Sequence, residues 1–505
     1  MDLLAYYLPQ FHQVPENDQW WGEGFTEWTA AKNAKPLYEG HYQPHEPWND
    51  NYYNLLEKET MKWQAKLMHR YSIDGMCFYH YWFGEGQKIL ERPAENLLKW
   101  TDIDMPFCFS WANQSWVQAW SNLKGFSWMS ESKKEPSKKE SSVIFQQKYG
   151  REEEWEIHFR YLLPFFKDKR YIRYEGKPLF VIHVLKDVPC LYEMARYWEK
   201  LAKENGLEGL YIIGGGQAGI NYGVDAVMTH EPGDIKRVLC NSNIEKEPTY
   251  YSYREAYERI IAQKYPRDIK MIYTSFCSYD TTPRYGREGC VFQGGSPEIF
   301  EEYLTKLMAK NAAVGMDLFF IDAWNEWGEG MHLEPDKKYG FRWLEAVQRA
   351  KERYKDYIPD FAAQNNYMSM EEHVLRRNSS KYEMYLNTLS DWMHVREKKK
   401  NIASFFKKYK LEKILIYGYG IFARHLISEC NELGISVAGV IDQNPPHYAE
   451  GISTYKISEK TLPDGDAIIV TSFYYMSEIC TEIRKYNSKI PIYSINEIIY
   501  EMLSV

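Results

Sequence analysis

No apolar stretch in the chain approaches the about 18 residues that a membrane-spanning helix needs, which excludes a helical integral membrane protein. The opening MDLLAYYLPQF has no basic segment, long apolar run or small-residue cleavage site. No secretion signal is therefore expected, and the cytoplasm is the expected compartment. Cysteine is sparse: eight in 505 residues, none in C-x-x-C spacing, with Cys77, Cys108 and Cys277 inside apolar runs. These read as buried thiols, not as a disulfide framework. A strong charge of one sign is also missing. The net charge is -8, and no Lys/Arg cluster alternates with stacking aromatics, so nucleic acid is not an expected partner. Metal-ligand patterns are equally thin. Pro44 between His41 and His45 removes the shared helical face that their spacing would need, and Asp102-Ile103-Asp104 precedes a strand, at the wrong end for a metal-bridged nucleotide sugar. No metal and no cofactor are expected.

Aromatic residues are in excess, at 16% of the chain, from 42 Tyr, 23 Phe and 17 Trp. Flat side chains with a polar tip suit the apolar faces and hydroxyl edges of sugar rings. The length allows about two to three domains. Before residue 330, eight apolar, β-branched and aromatic runs are separated by polar, helix-competent segments: 3–9, 75–82, 105–112, 178–184, 210–216, 225–232, 270–277 and 317–327. Most are apolar throughout, as parallel strands covered on both faces should be. The fold class expected is α/β, a (β/α)8 TIM barrel over 1–355, then a helical linker over 356–410 and a small Rossmann-like α/β domain over 411–505. In that last segment Gly418, Gly420 and Ala423 fit the G-x-G-x-x-G/A fingerprint between strand and helix, and Asp442 follows the second strand. These four are candidate nucleotide contacts. Half a doubly wound sheet lacks a hydride-transfer partner, so assembly, including homo-oligomer formation, or weak nucleotide binding is the expected role.

Polar residues gather at the C-terminal ends of the runs, where barrel active sites lie. The sharpest signal is Trp324-Asn325-Glu326-Trp327-Gly328-Glu329-Gly330-Met331-His332-Leu333-Glu334-Pro335 after the last run. Carboxylates crowded there repel one another and raise at least one pKa, and a pair so split serves as acid and base. Glu326 and Glu329 are the candidate catalytic pair. Tyr7, Glu27, Trp28, Tyr79, Trp82, Trp111, Asn113, Trp116, Arg284, Asn325 and His332 are candidate substrate contacts, with Arg284 placed to meet an acidic sugar or one of the glutamates.

The string NEWGEGMHLEP, with LAYYLPQFH, WWGEGFTEWT, KPLYEGHYQPH, DGMCFYHYWF, FCFSWANQSW, RYIRYEGKPLF and DTTPR (280–284), resembles the WbsX-type proteins of bacterial polysaccharide gene clusters. Their clan is related to the endo-α-mannosidases of glycoside hydrolase family 99. The resemblance covers residues 1–350 and implies a barrel enzyme of surface polysaccharide metabolism acting on an oligosaccharide or lipid-linked glycan. It gives Glu326 the place of the general base and Glu329 that of the general acid. In the endo-α-mannosidases the base acts on the substrate's own 2-hydroxyl, with retention through a 1,2-anhydro sugar, unlike the usual two-carboxylate schemes. Gly328 departs from that pattern, where those enzymes carry His. A sugar-nucleotide-dependent glycosyltransferase and a non-catalytic glycan-binding scaffold are the alternative readings.

Overall fold

The computed structural model describes every residue except 118–142, 217–219, 240–247, 447–448, 459–461, 488 and 505. The eight apolar runs become eight parallel strands: β1 (Asp2–Tyr7), β2 (Gly75–Gly84), β3 (Phe107–Trp111), β4 (Lys177–Val184), β5 (Tyr211–Gly215), β6 (Ala226–Met228), β7 (two pieces, Lys270–Ile272 and Ser275–Phe276) and β8 (Leu318–Asp322). They hydrogen-bond in chain order. β1 pairs with β8 from Asp2↔Leu318 to Ala5↔Ile321, and the two pieces of β7 reach β6 on one side and β8 on the other. The sheet therefore closes into the expected barrel. β3 and β8 are buried at every residue, because the closed sheet is covered inside and out.

Helices Lys58–Arg70, Glu152–Phe166, Leu191–Glu204, Tyr253–Ala262 and Pro297–Ala313 cover the outside; among the described residues β5 joins β6 without one. The helix after β8 runs Arg342–Ala362 and buries Trp343, Leu344, Val347, Ala350 and Tyr354. The expected boundary at 355 thus falls inside it, since its apolar stripe continues to Phe361.

The tail forms a separate parallel sheet of β9 (Lys413–Tyr417), β10 (Ser436–Ile441), β11 (Thr454–Tyr455), β12 (Ala467–Val470) and β13 (Ile492–Ser494). Its order is β11-β10-β9-β12-β13, the doubly wound arrangement of a Rossmann-like unit. The short strands β11 and β13 carried no clear signal in the sequence. Two ion pairs tie tail to barrel: Arg151–Glu497 at 2.8 Å and Arg484–Glu193 at 2.7 Å. Among the described residues no helix is long and apolar enough to cross a membrane. The seven described cysteines are free and buried; Cys240 lies outside the described residues.

Candidate functional site

The site is built at the C-terminal end of β8, where the chain must leave the barrel without losing its backbone pairing. Asn325 supplies that continuity: its Oδ1 accepts the Leu8 N–H at 2.7 Å and its Nδ2 donates to the Leu8 carbonyl at 3.0 Å. Asn325–Glu326 then forms a short antiparallel ladder with Met331–His332. The turn between them closes at Gly330, which is left-handed (φ 58°), a conformation glycine adopts without steric cost.

Beneath the turn lies Glu334. Its carboxylate accepts from Trp324 Nε1 (2.9 Å), Gln64 Nε2 (2.8 Å), Trp327 Nε1 (2.8 Å) and the Tyr53 hydroxyl (2.8 Å). Burial pushes its pKa up, to about 7, against those four hydrogen bonds. Glu334 is a structural hub, and of the three carboxylates in the string only Glu326 and Glu329 face the barrel mouth.

Both converge on one cation. Arg284 Nη2 donates to Glu326 Oε2 at 2.8 Å and to Glu27 Oε1 at 2.7 Å, while Nη1 pairs with Glu329 Oε1. Although burial opposes its charge, Glu27, Glu329 and Glu326 hold the guanidinium firmly protonated. Asp280 aims this arginine. Its Oδ1 accepts the Thr282 N–H at 2.9 Å, starting the short helix Thr282–Tyr285, and its Oδ2 is held by Gln43 Nε2 and His41 Nε2, each at 2.7 Å. His41 thus orients Asp280, whereas His45 Nδ1 lies 2.9 Å from His332 Nε2. The two histidines serve different partners.

Together these groups line a cavity of about 350 Å³ at the barrel mouth, with Gln10, Trp21, Tyr79, Tyr81, Trp116, His183, His230, Glu231, Tyr279, Tyr285 and Asp322 completing its wall. Among the described residues its carboxyl-bearing side chains are Glu27, Glu231, Asp322, Glu326 and Glu329, and its one Lys or Arg is Arg284. Crowded, buried carboxyls favour protonation. Burial, only partly offset by Arg284 and reinforced by Glu329 and Glu27, raises Glu326 to about 8. Burial and the neighbouring Asp234 raise Glu231 to about 8, and burial with Glu326, Glu329 and Glu231 raises Asp322 well above the carboxylate range. A larger cavity of about 650 Å³ lies beside the tail, lined by Gln114, Asp187, Asn387 and Asn496 among others. It lacks the carboxyl–arginine cluster, so the smaller cavity is the candidate site.

The model of the family described as "Glycosyltransferase WbsX" matches residues 3–347. This chain belongs to the WbsX family. The uncharacterized protein WxcX of Xanthomonas campestris pv. campestris (strain B100) is 29% identical over 375 residues, covering 72% of this chain and 51% of WxcX. The chain thus spans about half the length of the curated relatives it matches. Among solved structures, a GH99 endo-alpha-mannosidase from Bacteroides thetaiotaomicron is similar with TM-score 0.44 and 12% identity, over 71% of this chain and 98% of that one. A glycoside hydrolase-like protein is similar with TM-score 0.42 and 14% identity, over 69% and 93% of the two chains.

In this WbsX-family chain the candidates from sequence divide in two. Glu27, Tyr79, Trp116, Arg284, Glu326 and Glu329 line the cavity. Tyr7, Trp28, Trp82, Trp111, Asn113, Asn325 and His332 do not. Tyr7 donates to Gln64, Trp28 Nε1 to the Tyr53 carbonyl and Trp111 Nε1 to the Trp82 carbonyl. Trp82 stacks on His158 at 4.5 Å, Asn113 clamps Val184 N–H and carbonyl, and His332 stacks on Trp327 at 3.7 Å. All seven are held by contacts within the frame; Trp28 lies on the short helix Glu27–Asn33, next to Glu27, which faces the cavity. His183, His230 and Glu231 lie near the C-terminal ends of the runs 178–184 and 225–232, and Asp280 opens the DTTPR string; Asp322, Tyr81 and Tyr279 carried no separate signal.

The glycine at 328 has a physical reason. A Cβ there would run into Glu27 Oε1 and come within 3.0 Å of Arg284 Nε. The Glu27–Arg284 pair occupies the space that a side chain at 328 would need.

In the tail, the Asp442 carboxylate accepts the Tyr419 N–H and the Asn444 N–H, each at 2.9 Å. A Cβ on Gly418, which is left-handed (φ 87°), would come within 3.2 Å of Ser472 Cβ, while Gly420 faces open space and Ala423 is buried. Asp442 therefore braces the glycine turn. Among the described residues no group of three or more His, Cys, Asp or Glu side chains is placed to hold a metal ion.

Proposed function

We propose that this chain is a carbohydrate-active enzyme of cell-surface polysaccharide metabolism, cleaving or transferring a glycosidic bond with Glu326 and Glu329 as acid–base pair. The observation that carries this reading is the convergence of both carboxyls on the Arg284 guanidinium inside an aromatic-lined mouth. Two neighbouring carboxyls in different environments can divide the acid and base roles between them, which supports the reading. As the C1–O bond breaks, one carboxyl gives its proton to the leaving oxygen. The other, ionised, takes the proton of the substrate's 2-hydroxyl, whose oxygen closes on C1. Water or an acceptor hydroxyl then attacks C1 and gives its proton to the first carboxyl. The C1–O2 bond breaks, and the second carboxyl returns its proton to the 2-oxygen, so both groups are reset and the configuration at C1 is retained.

The resemblance assigns the base to Glu326 and the acid to Glu329. Burial pushes the Glu326 pKa up, against the pull of Arg284, so the base role requires Glu326 to give up its proton before it acts.

The sugar-nucleotide-dependent transferase, the class named in the family's description, remains the second reading. A diphosphate in this mouth would have to compete for Arg284, which Glu27, Glu326 and Glu329 already engage, and its charge would add to that of the carboxyls that stay ionised. Like-charge repulsion in a desolvated site opposes that ligand. A neutral glycan meets no such penalty.

The deciding experiment incubates the chain with oligosaccharides released from bacterial surface polysaccharide and, separately, with UDP- and GDP-sugars plus the same acceptors. Anomeric NMR follows the products. Retained-anomer products from oligosaccharide alone, lost in Glu326→Gln and Glu329→Gln, support the proposal. Products that appear only when a sugar nucleotide is supplied overturn it.

A further inference from the structure

The helix Met370–Glu397 is apolar on two opposite sides. One side is turned to the rest of the chain: Trp392 and Val395 are buried, and Met384 packs against the cores of both barrel and tail. The other side carries Leu375, Tyr382, Leu386 and Met393, which are 62, 63, 67 and 59% exposed. At about 100° per residue these two stripes point in opposite directions. A helix apolar all round belongs in a buried setting. A single exposed hydrophobic is ordinary, but four on one line form a patch of the kind that marks an interaction surface.

The spacing says what covers it. From Leu375 the steps run four, three, four, three, four, through Ser379, Tyr382, Leu386 and Leu389 to Met393. This is the d-a-d-a-d-a spacing of a heptad repeat, with Ser379 polar and Leu389 packed partly against the tail's own core, and such a seam is complementary to another helix with the same repeat. Glu371 and Arg376, at the flanking g and e positions, place opposite charges beside it.

We infer that the Leu375–Met393 face pairs with the same face of a second copy of this chain, making a symmetric dimer through helix Met370–Glu397. A two-fold dimer needs one self-complementary patch, which a heptad seam provides. The four side chains would form the apolar centre of the contact, and the polar residues around them its rim. The cavity beside the tail takes the neighbouring face of the helix, through Glu383, Asn387 and Asp391.

The test is sedimentation velocity of the full chain from about 1 to 50 µM, a range spanning ordinary specific affinities. The wild type should sediment as a dimer. Leu375→Glu and Leu386→Glu should each raise the dimer dissociation constant at least about 100-fold with the thermal midpoint unchanged, since both side chains are exposed. Asn387→Asp, a third of a turn from the seam, should leave the dimer intact. A wild type that stays monomeric at the top concentration overturns the inference. So does a dimer that survives either glutamate substitution, or one that Asn387→Asp also dissolves.

Discussion

Replacing Glu326 with Gln isolates what burial does to that carboxyl. Its pKa rises from an ordinary 4.5 to about 8, burial outweighing the pull of Arg284. The unfolded chain is ionised above the lower value, and the folded chain keeps its proton up to the higher one. The stability this group contributes is therefore complete below pH 4.5 and is lost as the pH rises through about 8. Each pH unit is worth about 1.4 kcal/mol, so the three units from pH 5 to 8 amount to about 4 kcal/mol. Gln has the same shape, keeps an amide oxygen for Arg284 and cannot ionise. The variant should match the wild type within about 1 kcal/mol near pH 5. It should then gain on it with rising pH, by up to about 4 kcal/mol at pH 8. The assay is urea unfolding of the barrel followed by tryptophan fluorescence at pH 5, 6, 7 and 8. Parallel pH curves for the two proteins would refute the reasoning, because they would mean that Glu326 is ionised throughout and that Arg284 outweighs burial.

Glu329→Gln should lower kcat at least about 100-fold with an unchanged circular dichroism spectrum; near-normal turnover on a verified substrate would remove Glu329 from the chemistry. Gly328→Ala should displace Glu27 from Arg284 and cost about 1–3 kcal/mol, read as a lower urea midpoint, and an unchanged midpoint would show that the loop yields freely. Activity should survive EDTA, and rescue by a divalent cation after loss would favour a metal-dependent transferase. Because Asp442 is held by two backbone N–H groups, calorimetry of the full chain with NAD, NADP, UDP-sugars and GDP-sugars should give no micromolar binding. Such binding, abolished by Gly420→Val, would give the tail a nucleotide role and revive the transferase reading.

The barrel was legible along the chain because closure covers both faces of each strand, so each strand must be apolar throughout, and a run such as PLFVIHV announces itself. The tail's first strand, glycine turn and helix were legible for a related reason: a tight turn restricts which residues fit. Glu326 and Glu329 stood out because carboxyls crowded beside glycines and tryptophans at a strand end repel one another, a cost that an ordinary connecting loop has no reason to carry. The sequence by itself thus determined the layers of the fold and the loop in which the candidate chemistry sits.

Which side chains share the cavity was decided only in three dimensions. Glu27, Arg284 and Glu326 come from segments separated by 257 and 42 positions, and no local pattern encodes a meeting over such distances. Glu334 resembles its two neighbours in the string, yet four hydrogen-bond donors beneath the turn make it a strut. Trp28 and Trp111 resemble stacking platforms, yet their ring N–H groups are bound to backbone carbonyls inside the frame. Residue type sets what a side chain can do. Whether a strand-end side chain faces the mouth or the surrounding layer depends on barrel closure, and closure is a property of all eight strands together.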